Sequence, residues 1–553
     1  MDLKCIITSS SIRQFPTDPL PEKALTSLDA ARGERLSFQL AYRSEKSDTY
    51  DVFRVRASIE GPKGWSLRIR REGLVPVPNM NIPFEHDPID NDCWGKVPGM
   101  VPDPLFDSDE EVLRPCQKQA FWFSFRTPEK TAPGAYVLTV RLQMFDRKGE
   151  KPVGRPLVRK LTVRVHDVVL KPHRGFCVTH WIYCDCIAAW YRTNGFDERF
   201  WKLLEAYLRN MAEHGQDAVY VPVFTPSLDK DKIPSQLLKV KRRGKGRYRF
   251  DWSDVKRYVD LARKCGIKEL EWCHLASQGG AKHAIRIYEG QGEGEKLLWP
   301  DGTPSTAPVY AEFLHAYLPE LKKFLDENGL FKASFFHISD EPHGEEALAN
   351  YRAVRAIILE AAPWFTATDA LSELAFAREK LVEMPDVILM KALDFIREGI
   401  PCSCYYCGGP RAKYLNHLID TALPKVAMHG FVFYRWPFKG FLHWGYNYWN
   451  VFGTRTLLDP FSSLNGRDGG GAVPDAAHGD MFVVYPGENG PIDSIRWEVF
   501  AEAMQDYDLM QTLGIPRDAD FMREVKSFED FPKTVEWRRR IRARLFRIAD
   551  TKR

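Results

Sequence analysis

The sequence of 553 residues predicts a β-sandwich followed by a (β/α)8 barrel of the TIM type, an α/β fold. Residues 1–170 contain short runs of alternating apolar and polar residues, such as "ERLSFQLAYRS", which Gly, Pro or Asp separates. This pattern is typical of antiparallel strands in a sandwich. Across residues 171–553, strand-like runs alternate with amphipathic runs of helical period, which favours parallel βα units. Eight such units predict a closed barrel, with a doubly wound open sheet as the alternative.

The barrel strands are expected in eight runs, each bounded by helical or turn-forming segments. In chain order the runs are "GFCVTHWIY" (175–183), "DAVYVPVF" (217–224), "KELEWCHL" (268–275), "KASFFHISDEP" (332–342), "WFTATDAL" (364–371), "DVILMKAL" (386–393), "IPCSCYYCG" (400–408) and "KGFLHWGYNYW" (439–449). Long connections at 276–308 and 453–480 interrupt the pattern, and connections of this length are usually functional or disordered. The basic segment "EWRRRIRARLFRIADTKR" predicts a surface helix with an apolar stripe that closes the barrel.

Composition argues against several function classes. The net charge is only +4 and charges of both signs are interspersed, so neither nucleic acid nor an acidic membrane surface is an expected partner. No run reaches the roughly 20 apolar residues of a membrane span. The N-terminal segment "MDLKCIITSSSIRQFPTD" has no apolar run typical of a signal peptide. We therefore expect a cytoplasmic protein, or a secreted one if a leader has been removed, and a homodimer is one option for its assembly.

The eleven cysteines are expected to be thiols in a reducing compartment. Cys402, Cys404 and Cys407 have a spacing that could hold zinc or an iron–sulfur cluster. No second CxxC pair completes such a site, so half-buried thiols are the simpler interpretation. Neither a metal nor another cofactor is expected. The segment "GQGEGE" (290–295) follows no strand and is acidic, which argues against a phosphate-binding loop.

Two adjacent carboxylates, Asp340 and Glu341, end the fourth predicted strand. Active sites of such barrels lie at the carboxyl ends of the strands, and Pro342 offers a turn that brings both side chains there. Two close carboxylates push their pKa values apart, so that one serves as a proton donor beside a charged partner. The alternative is structural: "SDEP" before a helical run also fits an Asp340 that caps the helix beside a solvated Glu341.

The segment "HISDEP" (337–342) resembles the catalytic signature of glycoside hydrolase family 123, the β-N-acetylgalactosaminidases. Further segments resemble the family along most of the chain: "ARGERLSFQLAYR", "PDPLF", "FWFSFRTPEKTAPGAYVLTVRL", "GFLHWGYNYW" and "GDMFVVYPGENGPIDSIRWEVFAEAMQDYDLM". The resemblance implies an exo-acting hydrolase that releases terminal β-linked N-acetylgalactosamine from a glycan or glycolipid. It also implies a retaining mechanism in which the sugar's own 2-acetamido oxygen attacks the anomeric carbon. Glu341 would then protonate the leaving oxygen, and Asp340 would hold the acetamido N–H.

Polar and aromatic residues near the other strand ends are candidates for sugar binding, because a sugar needs a flat apolar floor and hydrogen bonds to its hydroxyls. The candidates are His180, Trp181, Trp272, His274, Asp369, Tyr405, Tyr406, Trp444 and Tyr446. Taken alone, an aromatic residue of this kind more often belongs to the core than to a ligand platform, but the concentration of such residues at several strand ends favours the site. His337, inside the fourth strand, is interpreted as a hydrogen-bonded interior histidine. The alternatives for function are a hydrolase of the same fold that acts on another sugar, and an inactive carbohydrate-binding protein.

Overall fold

The computed structural model describes residues 2–45, 52–79, 93–225, 235–290, 294–451, 454, 456–464 and 477–551. The acidic "GQGEGE" segment lies partly outside these ranges, and so does most of the glycine-rich stretch of the connection at 453–480. Within the described residues, no helix is both long enough and apolar enough to cross a bilayer.

Within the described part of residues 2–169, ten strands form two five-stranded sheets. The strands are β1 (Leu3–Ser9), β2 (Ser27–Arg32), β3 (Arg35–Ser44), β4 (Arg54–Glu60), β5 (Ser66–Val77), β6 (Gly99–Phe106), β7 (Glu110–Val112), β8 (Gln119–Arg126), β9 (Gly134–Phe145) and β10 (Pro152–Val169). Their order is β1-β3-β8-β5-β6 in one sheet and β2-β10-β9-β4-β7 in the other. The predicted β-rich N-terminal part is confirmed, while the sandwich arrangement itself stays a prediction.

Side chains from both sheets form one apolar core. Phe38 and Phe123 of the first sheet stack with centroids 5.1 Å apart, and Leu138 and Val140 of the second sheet belong to the same buried cluster. Every second residue of β9 is buried from Leu138 onward, as the alternating pattern predicts. One pairing differs from the antiparallel expectation, because β2 and β10 run parallel.

Fourteen further strands and eleven α-helices follow among the residues that the structure describes. The strands are β11 (Cys177–His180), β12 (Ala218–Val221), β13 (Lys239–Gly244), β14 (Arg247–Asp251), β15 (Glu269–Trp272), β16 (Tyr288–Glu289), β17 (Lys296–Leu297), β18 (Ser334–Phe336), β19 (Ala370–Leu371), β20 (Asp386–Ile388), β21 (Ser403–Tyr405), β22 (Gly440–His443), β23 (Val484–Pro486) and β24 (Pro491–Asp493). The helices are α1 (Cys184–Tyr191), α2 (Glu198–Glu213), α3 (Ser253–Cys265), α4 (Pro308–Glu327), α5 (Gly344–Ala361), α6 (Leu374–Arg378), α7 (Leu389–Arg397), α8 (Leu423–Val426), α9 (His429–Arg435), α10 (Ile495–Thr512) and α11 (Val535–Thr551).

Eight of these strands form one parallel sheet in the order β18-β15-β12-β11-β22-β21-β20-β19. Each predicted barrel run contains one of them. The sheet curls so that its two outer strands meet: a parallel bridge joins Phe336 to Ala367, and the N–H of Thr368 donates to the carbonyl of Phe336 at 2.7 Å. The first strand in the chain also pairs with the last, β11 with β22. This arrangement is consistent with a TIM-like barrel and excludes the open-sheet alternative.

The sixth predicted strand is shorter than expected. Strand β20 ends at Ile388, and α7 begins at Leu389. Leu389, Ala392 and Phe395 are buried at intervals of three residues, which is a helical rather than a strand period.

The sequence predicts that helix α11 closes the barrel. In the structure, this helix also contacts the N-terminal part of the chain. The ring of Phe546 stacks on His166 of β10 with centroids 4.4 Å apart, while Trp537 meets Phe431 of α9 edge to face. Arg542 pairs with Glu34 of the N-terminal part at 2.6 Å and with Asp506 of α10. The helix therefore joins the two parts of the chain.

A buried ion pair also joins the two parts. Arg70 of β5 is fully buried, and its guanidinium donates to Asp493 at 2.5 Å and to Glu498 of α10 at 2.7 Å. We expect Arg70→Met to lower the free energy of unfolding by about 3–5 kcal/mol, because it leaves buried carboxylates without this partner. Urea denaturation measures the loss. The control Arg141→Met removes a more exposed pair with Glu60, which should cost about 1 kcal/mol or less, and equal losses would contradict the assignment.

Candidate active site

The segment after β18 carries the predicted carboxylate pair to the carboxyl edge of the parallel sheet. Asp369 fixes this segment, since its carboxylate accepts the backbone N–H of Ile338 at 3.0 Å and of Ser339 at 3.2 Å. The Tyr351 hydroxyl donates to the same carboxylate at 2.5 Å. Asp369 is fully buried and is occupied by these contacts, so it positions the segment that ends in Asp340.

A left-handed backbone turn brings the two neighbouring carboxylates to the same region. Glu341 has φ +45°, a conformation that costs a side chain other than glycine about 1–2 kcal/mol. The turn is held by the N–H of Glu341 on the carbonyl of Ala370 (3.0 Å) and by the N–H of Gly279 on the carbonyl of Asp340 (2.7 Å). In a regular strand the two side chains would point to opposite faces. Residues held in such conformations cluster at functional sites.

Asp340 is the less solvated member of the pair, with 5% of its surface exposed. Burial and the neighbouring charge of Glu341 raise its pKa well above the usual range, and His337 acts in the opposite direction. Within the described residues, no side chain donates a hydrogen bond to the Asp340 carboxylate. Burial and the neighbouring carboxylate thus favour the protonated form of Asp340.

Glu341 is partly buried and is oriented by one phenol. The Tyr405 hydroxyl, at the end of β21, donates to one oxygen of Glu341 at 2.7 Å. Burial and the charge of Glu341 raise the pKa of Tyr405 well above its usual range, so the phenol keeps its proton and remains a donor. Among the described side chains, none donates a hydrogen bond to the second oxygen of Glu341. Tyr405 is thus a candidate binding residue that directly contacts the pair.

A buried charged layer lies beneath the pair. His337 is placed between two carboxylates: Nε2 donates to Glu271 at 3.0 Å, and Nδ1 donates to Asp369 at 3.2 Å. Burial lowers the pKa of His337, but these two hydrogen bonds and charges outweigh it and raise the pKa to about 10. His337 is therefore an imidazolium at neutral pH. It is the interior hydrogen-bonded histidine that the sequence predicts, and it also lowers the pKa of Asp340.

Sequence reasoning missed two members of this layer, Glu271 and Asp386. Thr179 of β11 donates to Glu271 at 2.8 Å, which continues the network across the barrel. Burial, followed by the charge of Glu271, raises the pKa of Asp386 to about 7. Both carboxylates occupy strands whose other residues are mainly apolar. The signal in the sequence that could have identified them was a charged residue within an otherwise apolar strand.

Trp181 and His274 form an aromatic wall beside this layer. Trp181 packs against His274 with centroids 5.2 Å apart, and His274 stacks on His337 at 4.5 Å. Tyr220 lies 5.2 Å from Trp181, and its hydroxyl is 3.3 Å from Nδ1 of His274. Among the described residues, Nε1 of Trp181 and Nε2 of His274 have no hydrogen-bond partner. These two nitrogens are available for a polar ligand.

Trp444 follows β22 and is partly buried, which leaves part of its ring accessible. Its Nε1 donates to Asp480 at 3.0 Å, and its ring lies 5.5 Å from that of Tyr448. The indole is therefore fixed at the carboxyl edge of the barrel. Its sugar-binding role, like that of Trp181, His274 and Tyr405, stays a prediction.

The structure does not bring four of the predicted residues to the carboxylate pair, because adjacent strand residues face opposite sides of the barrel wall. All four contact the helical layer or its connections instead. His180 packs against Trp497 of α10, Trp272 against Phe324 of α4, Tyr406 bonds His429 of α9, and Tyr446 bonds Asn210 of α2.

No disulfide joins any of the eleven cysteines, all of which lie in the described ranges. Burial raises the pKa of Cys402 to about 12 and that of Cys404 well above its usual range, which favours the neutral thiol at both positions. Among the described residues, three buried groups bring possible metal ligands within 4.8 Å of one another: His180–His417–His443, His274–His337–Asp369 and His214–Asp493–Glu498. The second and third groups already contain the ion pairs of His337 and Arg70.

The buried imidazolium predicts a specific pH dependence of stability. Because the pKa of His337 is raised in the folded state, its contribution is complete below about pH 6.5 and is lost as the pH rises through about 10. Between pH 7 and 9, the unfolding free energy of the unmodified protein should fall by up to about 1.4 kcal/mol per pH unit more than that of His337→Gln. Chemical denaturation at several pH values measures both slopes. Parallel slopes would show that His337 is neutral.

Three comparisons with known proteins place this geometry in context. No curated protein sequence matches the chain significantly. A family 123 glycoside hydrolase from Clostridium perfringens, studied for glycolipid glycan hydrolysis, has the same fold: the TM-score is 0.72 at 15% identity, over 99% of this chain and 97% of that one. A β-D-glucuronidase from Dictyoglomus thermophilum aligns with a TM-score of 0.31 at 10% identity, over 96% of this chain and 70% of that one.

The family model for the catalytic domain of glycoside hydrolase 123 matches residues 181–513. This range begins at the end of the first barrel strand, contains the carboxylate pair and its buried layer, and ends just after α10. The chain belongs to glycoside hydrolase family 123 and is a glycoside hydrolase.

Proposed function

We propose that the enzyme releases terminal β-linked N-acetylgalactosamine by a retaining mechanism in which the substrate's 2-acetamido oxygen is the nucleophile. The observation that carries the proposal is the adjacent pair of a buried Asp340 and a Tyr405-bonded Glu341. The Clostridium perfringens relative is described in terms of glycolipid glycan hydrolysis, and we extend that substrate class to this chain.

The placement of two neighbouring carboxylates suits this mechanism better than the usual one. Most retaining glycosidases use a carboxylate nucleophile about 5–5.5 Å from the acid, with the sugar between them. In a substrate-assisted reaction, both carboxylates instead serve atoms on one side of the anomeric carbon. Glu341 protonates the leaving oxygen and later deprotonates the incoming water. Asp340 holds the acetamido N–H and stabilises the positive charge that develops there.

Because the pKa of Asp340 is raised, substrate binding determines which carboxyl group of the pair carries the proton. Without substrate, burial favours the protonated form of Asp340. An acetamido N–H that donates to Asp340 favours its ionised form, because a hydrogen bond to a charged group lowers the pKa of a carboxyl. The shared proton then passes to Glu341, which becomes the general acid. As the ring closes on the acetamido oxygen, Asp340 is again basic enough to take the N–H proton.

The groups around the pair supply the remaining requirements of a sugar site. Trp444 offers a fixed flat surface at the carboxyl edge of the barrel, and Trp181 and His274 offer ring nitrogens for hydroxyl or carbonyl groups. Tyr405 keeps Glu341 oriented during both proton transfers. In this proposal, the enzyme recognises the sugar through its ring face and its acetamide.

Aryl glycosides that differ only in the sugar test the proposal. We expect hydrolysis of the β-N-acetylgalactosaminide, slower hydrolysis of the β-N-acetylglucosaminide, and no hydrolysis of the β-galactoside, because the galactoside lacks the internal nucleophile. Product release measured by absorbance gives kcat/KM for each. Turnover of the galactoside at a comparable rate would refute the substrate-assisted mechanism, whereas preference for the glucosaminide would change only the sugar.

Two substitutions separate the roles of the carboxylates. Glu341→Gln should reduce kcat about 10²–10⁴-fold on poor leaving groups and much less on activated ones, since general acid catalysis matters only when the leaving group needs a proton. Asp340→Asn should reduce kcat on both kinds of substrate, because the acetamido oxygen displaces either leaving group in the same ring-forming step. The exposed Glu345→Gln, at the start of α5, is the matched control and should retain activity. If Asp340→Asn kept full activity, the role assigned to Asp340 would be wrong.

A further inference from the structure

Three buried histidines meet on the helix-facing side of the barrel wall, away from the carboxylate pair. His180 and His443 are paired across β11 and β22, and His417 comes from the connection after β21. The ring centroid of His180 lies 5.6 Å from that of His417 and 5.2 Å from that of His443, and the centroids of His417 and His443 are 4.3 Å apart. One nitrogen of each ring lies within 4.8 Å of the others. All three side chains are at most 1% exposed.

Hydrogen bonds determine which nitrogen of His417 carries its proton. Nδ1 of His429 lies 2.6 Å from the carbonyl of Val426, so it must be the donor, and Nε2 of His429 must accept. The Tyr406 hydroxyl therefore donates to that Nε2 at 2.6 Å. Its oxygen is then the acceptor for Nδ1 of His417, with which it also bonds. This assignment leaves Nε2 of His417 with a lone pair.

His180 also presents an unoccupied lone pair, whereas the lone pair of His443 already accepts a hydrogen bond. Nδ1 of His180 donates to the side-chain oxygen of Gln216 at 2.9 Å, which leaves Nε2 unprotonated. His443 accepts the N–H of Gly445 on Nδ1 at 3.0 Å, so its Nε2 carries the proton and faces Asp480 at 3.3 Å. In the described part of the chain, Nε2 of His180 and Nε2 of His417 have no hydrogen-bond partner. Two buried acceptors without partners cost roughly 1–3 kcal/mol each.

We propose that His180, His417 and His443 bind one Zn²⁺ ion, a structural metal that the hydrolytic mechanism does not use. Neutral imidazoles are preferred zinc ligands, with Zn–N distances of about 2.0–2.1 Å. Tetrahedral geometry at that distance separates the donor nitrogens by about 3.4 Å. Binding therefore draws the rings together by about 1 Å, with His443 turning its lone pair from Gly445 to the metal. A water molecule completes the tetrahedron.

The groups behind the three rings suit a metal site. Metal-binding histidines usually donate their second N–H to a carbonyl, hydroxyl or carboxylate oxygen, which fixes the ring. Here Gln216, Tyr406 and Asp480 provide these acceptors. One positive charge lies nearby, since Arg496 donates to the carbonyl of His417 at 2.8 Å, but Arg496 is paired with the buried Asp103 at 3.1 Å.

The metal would connect this layer to the edge of the barrel where substrate binds. It would join strands β11 and β22 to the connection after β21. Asp480, which faces His443 with one oxygen, accepts Nε1 of Trp444 with the other at 3.0 Å. Zinc binding would therefore restrain Asp480 and, through it, the indole that we propose as a sugar platform. The site itself does not depend on the proposed function.

Metal content of the full-length protein tests the proposal. Because the histidines are buried, the metal must enter during folding, so the protein is produced in minimal medium with added Zn²⁺ and then passed through chelator. We expect about one zinc per chain by elemental analysis. Protein produced with Co²⁺ should show the visible bands of a tetrahedral nitrogen and oxygen site, without the near-ultraviolet charge transfer of a cobalt–thiolate bond. The cobalt spectrum needs no substitution and stays informative if variants fail to fold.

Two variants identify the ligands. His417→Gln should reduce zinc to below about one tenth of an equivalent, because three protein ligands are needed to retain the ion through chelation. The control replaces Cys402, Cys404 and Cys407 with serine and should keep the full equivalent. Folded protein with no retained metal would overturn the proposal in favour of a water molecule that bridges His180 and His417. A cobalt–thiolate band, or zinc lost only in the serine variant, would overturn it in favour of the thiols.

Discussion

The imidazolium of His337 is the charge on which the active-site region depends. The barrel interior contains Glu271, Asp369 and Asp386 around His337. Several negatively charged carboxylates could not be buried together without a cation, because burying an unpaired charge costs a large free energy. His337 supplies that cation and bonds two of them. Because these charges are balanced, Asp369 can fix the backbone that carries Asp340 and Glu341, the pair that we propose to be catalytic.

A second constraint is the alternation of side chains across the barrel wall. The inward member of each neighbouring pair, such as Trp181 or Tyr405, contributes to the region around the carboxylates. The outward member, such as His180 or Tyr406, packs under the helices and forms a separate polar layer. Asp340 and Glu341 escape this alternation only through the left-handed turn at Glu341. The left-handed conformation of Glu341 thus brings two sequence neighbours to the same region of the barrel.

The sequence predicted the β-rich N-terminal part and the eight barrel strands because hydrophobic period and glycine stops are local signals. All eight barrel runs contain a strand, and Gly266 ends α3 in a left-handed conformation that suits glycine. The carboxylate pair was also visible, since two charges at the end of an apolar run are conspicuous. The charged layer was not, because Glu271 and Asp386 are isolated in their own strands and acquire partners only when the barrel closes. The parallel pairing of β2 with β10 is equally non-local.

The participation of the substrate's acetamide can be measured through the acetamide itself. In a series of aryl β-N-acylgalactosaminides, successive fluorine atoms on the acyl methyl group withdraw electrons from the carbonyl oxygen while the sugar and leaving group stay the same. If that oxygen attacks the anomeric carbon, kcat/KM should fall steeply with each added fluorine. A rate that is insensitive to fluorination would mean that a protein group is the nucleophile, and the roles assigned to Asp340 and Glu341 would be wrong.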